Sequence, residues 1–165
     1  MRAGDLLHPR DFHGLPQFFP SFPSPVELNR LSPVQQYTFL RAHARTGGAH
    51  AKLLYGVELQ ALGRPISAER EFAAAAALAP HDPDARVAAA VGLFDKDRPS
   101  VAFSKLGPLV RVFPNAVTVR FHLGLMLIWI GQVQAARVQL QQVVAAGPSP
   151  FLADAQALVA KIPRK

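Results

Sequence analysis

Small, large apolar and turn-forming positions recur along this chain in a fixed register. Pro80, Pro114 and Pro148 stand 34 residues apart, a period that marks stacked repeats of one supersecondary unit. Aligned on these prolines, three units share further columns. A small residue falls at Gly56, Ala90 and Gly124, and a turn position at Gly63, Asp97 and Gly131. A second small residue falls at Ala68, Ala102 and Ala136, and a large apolar one four positions on at Phe72, Leu106 and Leu140. Small residues suit points where helices approach closely, and large ones fill the space between.

The pattern predicts two antiparallel helices per unit, over 49–62 and 65–78, 83–95 and 99–112, and 116–130 and 132–146. Pro65, Asp82-Pro83 and Pro99 are start signals, since proline at the first helical turn gives up no hydrogen bond. A final amphipathic helix over 150–161 carries Phe151, Ala155, Leu158 and Ile162 on one stripe and covers the end of the stack. Ahead of the units, Ser32-Pro33 reads as an N-cap and first position of a helix that Gly47-Gly48 stops near Thr46.

The first 25 residues differ in texture. Pro9, Pro16, Pro20, Pro23 and Pro25 alternate with Phe12, Phe18, Phe19 and Phe22. Proline at that density removes main-chain donors and fixes φ, so an extended arm is expected over 1–31. Four phenylalanines are costly to leave in water, and the arm is expected to pack as a strap on the domain or on a partner.

These columns resemble the tetratricopeptide repeat family. The third unit matches best, with Leu123-Gly124, Leu127, Gly131, Ala136, Leu140 and Pro148. The first follows with Tyr55-Gly56, Leu59, Gly63, Ala68, Phe72, Ala75 and Pro80, and the second departs at Ala90 and Asp97. The match spans about residues 49–162, with repeats near 49–82, 83–116 and 117–150. The resemblance implies an all-α, right-handed solenoid of antiparallel helix pairs and a non-catalytic scaffold or adaptor. It also implies a concave groove, lined by the first helix of each pair, that takes up a partner's peptide or helix. The groove residues would be Leu53, Val57 and Gln60, then Val87, Val91 and Phe94, then Phe121, Leu125, Ile128 and Trp129, with His50, Asp84, Asp95 and Thr118 beside them. Members that clamp a terminal carboxylate use cations and amides here. Leu53, Val57, Ala88, Thr118 and His122 stand at those places, so a hydrophobic ligand is expected instead. Either a partner segment fills such a groove, or the phenylalanine-rich arm does.

Composition narrows the chemistry. The chain of 165 residues is half apolar and has no cysteine, which excludes thiolate nucleophiles, disulfides and zinc–thiolate sites. Its alanine and arginine usage suits a GC-rich bacterial gene. No signal-peptide order opens it and no apolar run is long enough to span a bilayer, so a cytoplasmic protein is expected. The net charge is +7, and residues 115–165 hold Arg120, Arg137, Lys161, Arg164 and Lys165 against Asp154 alone. No four basic residues run together, so nucleic acid is not the expected partner, although a basic patch with Arg111 stays a second class of function. A third is a structural subunit whose arm clasps a neighbour. His8, His13, Asp5 and Asp11 form a mixed cluster that matches no metal motif, and Asp82/Asp84 and Asp95/Asp97 read as helix caps. No nucleophile–base–orienter set can be assembled, so neither enzyme activity nor a cofactor is expected.

Overall fold

The computed structural model describes residues 16–164. The expected arm residues before Pro16, with Phe12 and the His8/His13/Asp5/Asp11 cluster, lie outside the described residues. Within them the protein is all-helical, without a strand, and no helix is long and apolar enough to cross a membrane.

In chain order the helices are α1 (Pro33–Thr46), α2 (Ala49–Ala61), α3 (Pro65–Leu78), α4 (Pro83–Gly92), α5 (Pro99–Leu106), α6 (Leu109–Val112), α7 (Val117–Trp129), α8 (Val133–Ala145) and α9 (Leu152–Lys161). Each packs chiefly on its sequence neighbours: α2 on α3, α4 on α5, and α7 on α8. The pairs are joined through α3 with α4 and α4 with α7, so α2, α4 and α7 lie side by side.

The periodic columns meet in space as their sizes require. A Cβ on Gly56 would overlap the ring edge of Phe72, and one on Gly124 would stand 2.9 Å from Leu140. Ala68, Ala102 and Ala136, with Phe72, Leu106 and Leu140, are all buried. α2 and α7 also end alike. Gly63 (φ 69°) and Gly131 (φ 81°) take the left-handed conformation. Arg64 N–H reaches back to Leu59 O, and Gln132 N–H to Leu127 O, both at 2.8 Å. These are Schellman closures, which glycine enters without steric penalty.

The middle unit departs from the period in two places. α4 stops at Gly92 rather than at 95, closing at Leu93 (φ −81°), and Asp97 lies beyond the helix end with its N–H bonded to Asp95 Oδ1 at 2.8 Å. A side chain with a Cβ at 97 offers no ready left-handed cap, so the chain leaves α4 early. The helix expected over 99–112 is broken into α5 and α6 at Gly107-Pro108. Pro108 has no N–H to donate to Ser104 O, and its ring crowds that carbonyl.

Two caps are as the sequence predicts. Ser32 and Gln35 form a reciprocal capping box on α1. Asp82 Oδ1 accepts from Asp84 N–H (2.8 Å) and Ala85 N–H (3.3 Å) at the start of α4. Its other oxygen meets His50 Nε2 at 2.8 Å. Asp82→Ala is therefore expected to cost about 1 kcal/mol in urea unfolding; a variant as stable as the parent would show that the cap adds nothing.

One correction applies to the arm. It is not extended throughout, because Val26–Arg30 form a 3-10 turn that seats Leu28 in the core. Pro25 (φ −54°) starts the turn, and Gln36 Nε2 donates to Leu28 O and Leu31 O, both at 3.0 Å, tying it to α1. At the other end, Phe151, Ala155, Leu158 and Ile162 are buried together, so α9 covers α8 as its stripe predicts.

Candidate peptide-binding groove

The face made by α2, α4 and α7 holds residues 16–22 of the same chain. Phe18 is fully buried there, its ring 5.5 Å and edge-on to Phe72 and stacked 5.2 Å from His122. Phe19 packs 6.5 Å edge-on to Phe121. Phe22 lies flat on His50, centroids 3.9 Å apart and planes 4° apart.

Chain geometry fixes the conformation of this segment. Gln60 and His50, which touch Phe18 and Phe22, are ten residues apart on α2, about 15 Å at helical rise. The four residues from Phe18 to Phe22 cover about 12 Å in polyproline II and about 6 Å in a helix. Only an extended segment, antiparallel to α2, comes near that distance.

Extended backbone buried against helices needs partners for its polar groups, since the helices have no free main-chain groups to offer. Three side chains supply them. The Gln60 amide brackets Phe18, with Oε1 accepting from Phe18 N–H (2.9 Å) and Nε2 donating to Phe18 O (3.1 Å). Phe19 N–H donates to His122 Nε2 (2.9 Å), and Ser21 N–H to Asp84 Oδ2 (3.1 Å). The Ser21 hydroxyl donates to the same Asp84 oxygen at 2.5 Å. Between Phe18 and Ser21 the sole position not bonded through N–H is Pro20, which has none.

The protonation state of His122 follows from its two partners. Nδ1 lies 2.7 Å from Thr118 O and must donate to it, so Nε2 is the bare acceptor that Phe19 needs. Burial holds the ring neutral and pulls its pKa down to about 4, against the opposing pull of the Thr118 carbonyl and of the Asp84 charge.

Residues expected to line a groove are distributed as follows. Leu53, Val87 and Val91 are buried in one core cluster with Phe18, and half-buried Val57 packs against it. Gln60 and Phe121 touch the arm directly. Leu125 and Ile128 belong to a second cluster with Phe121 and Phe151, against which Phe19 packs. Phe94 and Trp129 stack on each other at 6.0 Å. A cavity of about 150 Å³ beside Pro16 is bounded by Gln60, Phe72, Val91 and Phe94.

Two readings of the sequence need revision. Asp84 is not a cap residue: Asp82 alone caps α4, while Asp84, 3% exposed, holds Ser21. The face is also less purely apolar than its composition suggests, because Gln60, Asp84 and His122 make every hydrogen bond to residues 18–21 described above. Of the basic residues considered as a patch, Arg120 bonds to Gln139, and Arg137 to the carbonyls of Val159 and Ile162.

Fold and face together define an all-helical protein that carries a segment of its own chain across the first helices of its helix pairs. The chain matches no known family, and no curated protein or solved structure is significantly similar to it.

Proposed function

We propose that this chain is a non-catalytic protein-interaction scaffold of the tetratricopeptide-repeat type, and that the α2–α4–α7 face is its docking groove for an extended, largely apolar protein segment. One observation carries the reading: the face already binds such a segment, through main-chain hydrogen bonds to Gln60, His122 and Asp84 and through side-chain burial. Main-chain bonds give affinity for extended peptide as such, and pockets for alternating side chains add selectivity. The arm is the occupant in the isolated chain, and a partner binds by taking its place.

Peptide display on the full-length chain tests this. In the arm variant Phe18→Ala/Phe22→Ala, whose own segment no longer competes for Gln60, adding Gln60→Ala should weaken binding of selected peptides at least about ten-fold with helical circular dichroism intact, the loss expected for two hydrogen bonds. A selection that yields only peptides indifferent to Gln60→Ala would remove the face from consideration as a docking site.

A further inference from the structure

The way the arm is held specifies its competitor. Resting on the docking role proposed above, the geometry points to a partner segment that repeats the arm's own chemistry: two adjacent aromatic residues, then a residue needing no main-chain donor, then a hydroxyl residue and a third aromatic. Each element has a receptor on the face. The first aromatic enters the site between Phe72 and His122, where Phe18 is fully enclosed. The second lies against Phe121 and His122 at 6.5 and 6.2 Å.

The hydroxyl and its own N–H both reach Asp84 Oδ2, and Asp84 Oδ1 is buried with no hydrogen-bond partner among the described residues. A carboxylate so placed accepts hydrogen bonds only, and it selects a donor side chain at this position against an apolar or acidic one. The third aromatic meets the flat face of His50, which Asp82 holds in place. Proline suits the middle position, where the face makes no hydrogen bond to a main-chain N–H.

The arm is joined to the rest of the chain through Pro23, Ser24 and Pro25, of which Pro23 and Ser24 are exposed. Release of residues 16–22 therefore leaves α1 and its capping box in place. The partner is thus a separate protein presenting this pattern in an extended stretch, and the arm lowers its apparent affinity by occupying the same contacts.

The chain offers a direct readout, having one tryptophan and no cysteine. Gly14→Cys, just ahead of the docked segment and labelled with an acceptor for tryptophan emission, reports the arm's distance from Trp129 in the full-length protein. A synthetic peptide copying residues 16–25 should lower the energy transfer as it displaces the arm. Peptides carrying Ser21→Ala should need about ten-fold higher concentration, and those with Phe18→Leu and Phe22→Leu at least as much more. The same peptides should bind the Phe22→Ala variant of the chain about ten-fold more tightly than the parent, because its arm competes less well.

If the leucine peptides displace the arm as well as the aromatic ones, the aromatic pattern is wrong while a docking groove stands. If no peptide displaces the arm or binds Phe22→Ala, the arm is a permanent part of the fold and both readings fall. A concentration-dependent dimer that binds no peptide would place a second copy's arm on the face, which also overturns the proposal.

Discussion

Phe72→Ala is expected to destabilise the protein by about 3–5 kcal/mol, a large share of the roughly 5–15 kcal/mol that holds a domain of this kind together. The ring is fully buried between α2 and α4, filling space that two glycines leave open. A Cβ on Gly56 would overlap its edge, and one on Gly92 would stand 3.0 Å from Cδ2. Its other edge contact is Phe18, so the same ring closes the helix layer and floors the first aromatic site of the groove. Truncation leaves a void among three backbones that cannot all collapse. The mechanism has a specific signature. Gly56→Ala should be harmful in the parent, where the methyl meets the ring, and near-neutral or favourable with Phe72→Ala, giving a coupling above about 1 kcal/mol. Urea unfolding of the four proteins closes the cycle. A cost for Phe72→Ala below about 1 kcal/mol, or an unchanged cost of Gly56→Ala in both backgrounds, would show that the ring does not set the α2–α3 spacing.

That pairing explains why so much of the helical layer was legible. Helices stacked at a fixed spacing need a small residue wherever a large one arrives, and the 34-residue register brings Gly56 to Phe72 and Gly124 to Leu140. The left-handed closures at Gly63 and Gly131 are legible for the same reason, since few residues other than glycine enter that conformation. Where the period and local chemistry disagree, local chemistry wins. Pro108 breaks the helix between α5 and α6 although the register calls for it to continue, and Asp97 does not take up the glycine's role.

The groove was legible in its apolar residues and in the place of Gln60 and Asp84, but not in what its polar residues do. Leu53, Val87 and Phe121 follow from the helix face they occupy. The roles of Gln60, His122 and Asp84 depend on a segment that returns from 42, 103 and 63 residues away, and no local spacing records that. Two signals were nevertheless in the chain. Asp84 follows Asp82, which suffices as a cap, so a second carboxylate two residues on was free for other use. His122 stands in an otherwise apolar stretch of α7, and an imidazole buried there requires two specific partners. Both residues face the arm, and the arm covers each of them from one side.

That dependence makes docking of the arm acid-sensitive. His122 is neutral in the docked state, with its pKa lowered to about 4 by burial, whereas an exposed histidine titrates near 6.5. Once the arm leaves, two of the rings packed on the imidazole, Phe18 and Phe19, leave with it. The released state then takes up a proton at a pH where the docked state does not. Docking is at full strength above about pH 6.5, weakens by about 1.4 kcal/mol per unit below it, and levels off near pH 4, a loss of roughly 3 kcal/mol if exposure is complete. Protonation also turns Nε2 from acceptor to donor, so Phe19 N–H would face a second N–H across 2.9 Å. Asp84 is the charged group that opposes this shift, since its carboxylate favours the imidazolium. Energy transfer from Trp129 to a label at Gly14→Cys, followed from about pH 7.5 to 4, should fall through this window in the parent. In His122→Gln the amide can still accept from Phe19 but carries no titrating proton, so the arm should dock more weakly at neutral pH and without that slope. An equally steep decline in His122→Gln would assign the acid response to other groups and leave His122 as a hydrogen-bond acceptor alone.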